Sequence, residues 1–469
     1  MYRAVLRKFV ALAALLATLG LPTIAQANDS LWIASGEVGV GPIEEDVFLH
    51  LTPRLSYLRP VPMFLCERDD CQSFFEASFQ VPLRLRIVDN EPEQGDLIRR
   101  EDWHEGADYF RIIRRLEYGS FADPIHLRVG EIGPANLGNA TIINGYYNVV
   151  TTDHYRLGIQ GRLDRPHWGA QVMVNDLTAP NLIALRASAR PDVIYDRESN
   201  WRRLTAGVSV AADTNAPTLL ARGDDDTIQA GPDLRPLVEL ARPTLIVGAD
   251  LRWNAYRGDH FALTPYTDIN HHFSLGTGLH TGVLVDADIG EELHLSSRLE
   301  YRLLGQRYIP DYIDPLYEIT RFQHLAYEEP GLAGPKLTAA ASMESSTRHG
   351  GYGQLQLRYA DMLSLSAAYS DATGPTGAAL RLRASFEFED RVQLGLFYYK
   401  ASPGTQRFTE ALRQTVDLDG ALLATEARVA VWGPFYAQGQ LARQWRLGDD
   451  GRFENIHIFN AGAGAGFAF

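Results

Sequence analysis

His271, His272 and His280 stand a short way upstream of Asp286 and Asp288. A histidine held by a carboxylate is the pair that general acid–base catalysis employs. A hydrolase built on it would also need a nucleophile or a metal, and the chain has neither a G-x-S-x-G elbow nor an H-E-x-x-H helix. Histidines at a rim or on an inner wall are the plainer reading, so no catalytic, cofactor or metal residue is assigned. Trp103-His104-Glu105 reads likewise as a loop contact, and Arg222-Gly223-Asp224 as a chance tripeptide in a loop rich in Asp and Gly. Residues 130–145 are dense in glycine but lack the strand–GxxxxGK–helix setting of a phosphate loop. Their glycines either permit bends and bulges or belong to a loop inserted into a pore.

Arginine is more informative. Along 293–303 the apolar residues Leu293, Leu295, Leu299, Tyr301 and Leu303 alternate with His294, Ser296, Arg298, Glu300 and Arg302. A two-residue period is the signature of a strand with one apolar and one polar face. The same beat runs through 247–255, 354–359 and 379–388, and similar segments begin near 46, 79, 109, 125, 155, 182, 391, 421 and 435. The polar beat carries Arg84, Arg86, Arg111, Arg115, Arg128, Arg156, Arg162, Arg186, Arg190, Arg252, Arg298, Arg302, Arg358, Arg381, Arg383 and Arg428. Its clear acids are fewer: Glu117, Asp250, Glu300, Glu387 and Glu426. If that face lines a pore, unpaired arginines favour anionic solutes or an acidic polymer, because a low-dielectric wall focuses their field. The alternative is that arginine and acid pair across neighbouring strands and only stiffen the wall.

The elements that would position these residues are strands of about 9–11 residues, the length that crosses a hydrocarbon layer at a tilt. Lysine, abundant on soluble surfaces, occurs only as Lys8, Lys336 and Lys400. Connections alternate: 389–391 and 432–434 are short, whereas 401–420 is long and polar. Short periplasmic turns and long extracellular loops are expected of a membrane barrel. The stretch 305–334 is too long and too rich in Pro and Tyr for a hairpin; it either folds inward as a constriction or holds another strand. No repeat of fixed period suggests a propeller or solenoid.

The N-terminus reads as an export signal: Arg3, Arg7 and Lys8, then the apolar run VALAALLATLGLP (10–22), then Ala25-Gln26-Ala27. Residues 1–27 are expected to be cleaved, 28–45 to form an N-terminal periplasmic segment, and 46–469 to form the barrel. The net charge of −14 argues against nucleic acid, which requires a basic face. Cys66 and Cys71 bracket CERDDC, and an oxidising compartment makes a small disulfide-closed loop the leading reading, with free thiols the alternative.

The chain ends on FNAGAGAGFAF, which places Phe459, Ala461, Ala463, Ala465, Phe467 and Phe469 on one face and Gly462, Gly464 and Gly466 on the other. Together with the export signal and the alternating strands, this resembles the porin-like outer-membrane β-barrels of Gram-negative bacteria. The resemblance implies an all-β chain forming one transmembrane antiparallel barrel of about 16–20 strands. It also implies that Phe459, Phe467 and Phe469 serve as the signal read by the barrel-assembly machinery. The expected function is a passive, non-enzymatic channel in the outer-membrane lipid for small, anionic solutes, without a cofactor. The alternatives are a barrel component of a polysaccharide or surface-structure export machine, and an outer-membrane hydrolase.

Overall fold

The computed structural model describes residues 30–468, apart from 44–45, 66–70, 91–95, 100–101, 104–105, 151–154, 192–203, 225, 232–234, 324–333, 374–377, 390, 402–407, 417, 419–420 and 448–452. The expected signal peptide (1–27), Cys66 and Phe469 lie outside the described residues. Cys71 is disulfide-bonded.

Twenty antiparallel strands close into a barrel. In chain order they are β1 (Leu31–Ile43), β2 (Asp46–Pro62), β3 (Gln72–Gln80, resuming as Leu83–Val88), β4 (Ile113–Tyr118) and β5 (Ile125–Gly130). Next come β6 (Gly158–Asp164), β7 (Trp168–Val174), β8 (Leu182–Ala189), β9 (Leu204–Leu220) and β10 (Val238–Trp253, resuming as Tyr256–Arg257). Then follow β11 (Phe261–His272), β12 (Gly276–Ile289), β13 (Leu293–Leu304), β14 (Arg348–Tyr359) and β15 (Leu363–Ala372). The last five are β16 (Ala379–Phe388), β17 (Val392–Ala401), β18 (Leu422–Trp432), β19 (Phe435–Leu447) and β20 (Phe453–Ala468). Each pairs with its neighbour in sequence, and β1 pairs with β20 to close the ring.

Most expected strand starts fall within a few residues of the observed ones, but the beat expected at 247–255 begins well inside β10, and β7, β9, β11, β12 and β15 have no expected start. The domain boundary also differs. Residues 31–43, expected to be a periplasmic segment, form the first barrel strand, in register with both β2 and β20. Small residues and glycines in LWIASGEVGVGPI blur its alternation, so the strand shows no clear two-residue beat in the sequence.

Polarity is inverted relative to a soluble protein. On β13, Arg298, Glu300 and Arg302 are 5%, 6% and 1% exposed, whereas Leu299 and Tyr301 between them are 58% and 54% exposed. Leu185, Val208, Leu251, Ile269, Leu355, Leu394 and Val429 continue the outward apolar band around the ring. A soluble surface does not carry a continuous apolar belt of this kind, but a lipid-facing one does. Trp432 and Phe435 stack at the short-turn rim, with ring centroids 6.0 Å apart, as part of an aromatic girdle.

The seam explains the glycine beat of the C-terminus. Gly464 pairs with Glu37 and Gly462 with Gly39. A side chain at Gly462 would overlap the Val38 carbonyl, and one at Gly464 would overlap the Tyr436 ring that lies across it from β19. Beside them Glu37 accepts Arg54 Nη1 at 2.6 Å, Arg428 Nη2 at 2.9 Å and the Tyr436 hydroxyl at 3.3 Å, so one carboxylate ties β1 to β2, β18 and β19. Gly466 is roomier: a methyl group there would stand 3.8 Å from Ser35 Cβ. Gly462→Ala should therefore weaken closure by about 1–3 kcal/mol, the usual effect of overpacking, and Gly466→Ala much less. The temperature at which the barrel loses its heat-modifiable electrophoretic mobility checks the contrast.

Candidate functional site

Most lumenal arginines are neutralised. Arg84 and Arg111 both reach Asp102, which is fully buried; Arg99 joins them at 3.4 Å. Arg86 meets Asp46 at 2.8 Å, Arg128 meets Glu117 at 2.7 Å, and Arg115 lies 3.5 Å from Glu76. Asp164 serves Arg162 and Arg190, at 2.9 and 2.8 Å. Arg186 pairs with Asp250, Arg156 with Glu318, and Arg428 with Glu37. Glu300 takes Arg298 and Arg302 at 2.5 Å each, and Arg302 also meets Asp311 at 2.8 Å. Asp102, Asp311 and Glu318 come from connections that return to the wall.

Four arginines of that set make no ion pair among the described residues: Arg252, Arg358, Arg381 and Arg383. Arg252 is satisfied by the Asn139 side-chain oxygen. Arg381 donates to the Asn144 carbonyl at 3.2 Å, to Asn144 Oδ1 at 3.1 Å and to the Tyr352 hydroxyl at 3.3 Å, and Arg383 donates to the Tyr147 hydroxyl at 3.2 Å.

The partners of these arginines belong to inserted connections. Residues 131–148 carry a small ribbon, Ala135–Asn136 with Asn144–Tyr146. Residues 305–323 and 334–343 carry two short helices, α1 (Tyr317–Thr320) and α2 (Lys336–Ser342). The two connections are stitched together: Asn144 N donates to Ile313 O at 3.1 Å, and Ile313 N donates to Ile142 O at 3.2 Å. Leu137, Ile142, Ile143, Tyr146, Tyr312, Ile313, Tyr317 and Leu337 form a buried apolar core with Met173, Leu182, Ala184, Ala211 and Ile246 of the wall. Residues 139–147 also touch Asp268 on β11, Arg298 on β13, Tyr352 on β14 and Arg381 on β16. Only a segment inside the ring can meet inward residues from so much of its circumference. Both connections therefore form a plug, as one of the two expectations for each held.

This is an outer-membrane β-barrel. No family model matches the chain, and no curated protein is similar to it. Among solved structures it is similar to OccAB4 of Acinetobacter baumannii, at 10% identity over 95% of this chain and 99% of that one, with a TM-score of 0.34. It is similar to a BenF-like porin from Pseudomonas fluorescens Pf-5, at 8% identity over 94% and 98%, with a TM-score of 0.35. A mutant ferric enterobactin receptor from Pseudomonas aeruginosa is similar at 10% identity over 95% and 81%, with a TM-score of 0.33. Likeness at this level carries nothing about cargo; the architecture rests on the strand pairing and on the inverted polarity of the wall.

The plug packs on more than one part of the wall. One apolar side lies on β7–β10, where Ala184, Ala211 and Ala216 leave room, and Leu316 and Ile319 pack on Tyr399 of β17. Space remains beside it toward β14–β18. A crevice of about 90 Å³ has both signs of charge in its lining: Arg302, Lys336 and Arg381 with Asp311, Asp314 and Asp371. A cavity of about 750 Å³ is lined by Arg358, Ser364, Arg383, Glu387, Gln393, Glu426 and Gln440. Arg381 and Arg383, successive inward residues of β16, stand between the two.

The histidines are not brought into one site. His271 faces outward and bonds Thr277 Oγ1 at 2.8 Å; His272 faces inward, 3.2 Å from Thr244 Oγ1. His280 is held by Glu300 at 3.0 Å, and Asp288 bonds His294 at 2.7 Å. Arg222 pairs with Asp226 at 3.2 Å, and His104 and Glu105 lie outside the described residues.

The plug's main polar anchor is Glu318 on α1. It accepts Tyr146 and Arg156, takes Asn175 Nδ2 at 3.3 Å, and lies 3.8 Å from Arg321, which continues to Asp213 at 3.1 Å. Burial alone would raise its carboxyl, but Arg156 and Arg321, with the Tyr146 hydrogen bond, hold it below the usual range. A depressed carboxylate contributes stability that is complete above its unfolded value, about 4.3, and is lost as pH falls through the lower folded value. Plug order should accordingly persist from neutral pH down to about pH 4 and fail below it. Glu318→Gln, which leaves the buried Arg156 without its carboxylate, should loosen the plug at neutral pH by about 3–5 kcal/mol. Amide hydrogen exchange of residues 137–146 and 309–320 reads both effects.

Proposed function

We propose that this barrel is a passive outer-membrane channel for small solutes, with a preference for anions set beside the plug. The observation that carries the reading is the pair Arg381–Arg383. Arg381 lines the crevice and Arg383 the cavity, both donate only to neutral groups of the plug and of β14, and neither makes an ion pair among the described residues. Most other lumenal arginines are paired and rigidify the wall; of the remaining two, Arg252 is bonded by Asn139 and Arg358 lines the same cavity as Arg383. Glu387 and Glu426 line the lower cavity nearer the short-turn rim; the selective step in this reading is therefore at the plug and not at that mouth. A crevice of about 90 Å³ suits small solutes and not an acidic polymer. No covalent step or cofactor enters this reading. Phe459 and Phe467 face outward on β20, 48% and 43% exposed, which suits the assembly role expected for them with Phe469.

Planar bilayers under a salt gradient test it. The reversal potential should have the sign of anion preference. The double variant Arg381→Gln/Arg383→Gln should cut the anion-to-cation permeability ratio on the order of two- to fivefold, the equivalent of the roughly 1 kcal/mol of one close charge in water. Cation selectivity of the unsubstituted protein would overturn the preference. A folded barrel that never conducts alone would instead favour a plugged component of an export machine, for which the continuous apolar core of the plug is the supporting observation.

A further inference from the structure

The outer face of β17 changes character along its length. Leu394 and Leu396 point outward and are 45% and 37% exposed, as lipid-facing residues are. Tyr398 follows on the same beat yet is only 7% exposed. It is covered by a helix in the long connection between β17 and β18, α3 (Phe408–Val416), which packs against β16 and β17. The Tyr398 hydroxyl donates to the Thr415 carbonyl at 2.7 Å, and Thr415 is fully buried. Because Tyr398 is an outward residue, α3 lies against the outside of the wall. It sits at the rim opposite the short turns 389–391 and 432–434, and not over the lumen.

Among the described residues, that placement leaves one side of α3 without a protein partner. At about 100° per residue, with Thr415 against the wall, Leu412 and Val416 lie roughly 60° and 100° around from it on one side. Glu410 and Arg413 fall on the far side, and both are exposed. Leu412 is 39% exposed, Val416 57%, and Leu418, just past the helix, 51%. An apolar stripe bounded by a wall on one side and charges on the other is the cross-section of an interfacial helix. The stripe also continues the apolar band of Leu394 and Leu396 on the strand beneath it.

We propose that α3 is a membrane-surface helix. It rests at the outer-leaflet interface with Leu412, Val416 and Leu418 in lipid and Glu410 and Arg413 in water. The occupant of the stripe is lipid, because the surface it extends is already the lipid-facing belt. Spin labels at Leu412→Cys, Val416→Cys and Arg413→Cys, in phosphatidylethanolamine/phosphatidylglycerol proteoliposomes, test this, with the unsubstituted protein as the labelling blank. All three side chains are exposed, and heat-modifiable mobility verifies assembly of each variant. Labels at 412 and 416 should collide several-fold more with oxygen than with a water-soluble nickel chelate, and the label at 413 should show the reverse. Equal nickel access at all three would overturn the proposal. So would dipolar broadening at 412 or 416 that disappears on dilution with unlabelled protein, since a second copy would then cover the stripe.

Discussion

In hydrocarbon no water is available to satisfy backbone N–H and C=O groups, so a sheet can cross it only by leaving no edge. The pairing of β1 with β20 removes that edge, and everything else in the molecule presupposes it. The closing strands come from opposite ends of the chain, and their contact is crowded. Gly39 and Gly462 face each other across the seam, and Gly464 lies beneath the ring of Tyr436. Glu37 then draws Arg54, Arg428 and Tyr436 together at the same place. The glycine–alanine stutter is therefore a packing requirement of the joint.

Closure creates an interior that must be occupied by something compatible with charge. A wall rich in arginine, taken alone, would repel itself in a low-dielectric surround. The chain answers with carboxylates drawn partly from the wall and partly from connections that fold back: Asp102 and Asp311 neutralise arginines of nearby segments, and Glu318 reaches the distant Arg156. Buried pairs of this kind fix position more than they add net stability. Here they fix the plug: Arg302 holds Asp311 and Arg156 holds Glu318 while an apolar core fills the space against β7–β10.

Asymmetry follows from that arrangement. Small residues on β8 and β9 let the plug's apolar core lie close there, while toward β17, where Leu316 and Ile319 meet Tyr399, a crevice and a cavity remain beside it. The charge facing that space is set by a few residues and not by the average of the whole lumen. Local electrostatics of this sort do not follow from composition, because a charge cancelled at 2.5–3 Å contributes little to a distant solute while its uncancelled neighbour contributes fully.

What was legible in the sequence was whatever has a local period. The alternation of Leu299 and Tyr301 with Arg298, Glu300 and Arg302 determines strand, face and lipid exposure from neighbours two residues away. The short turns at 389–391 and 432–434 likewise announce hairpins, and repeated alternation with no helical span announces a barrel. β1 and β9 are hidden because alanine and glycine carry too little contrast in polarity to show a beat, and α3 because nine residues in a polar loop are a faint helical signal. The plug was only half legible: composition marked 130–145 and 305–334 as irregular, but not that Ile143 meets Ile313. Which arginine is paired, where space remains beside the plug and what each carboxylate holds were decided by tertiary structure alone. The physical reason is that these contacts join residues far apart in the chain, brought together only when the ring has closed around them.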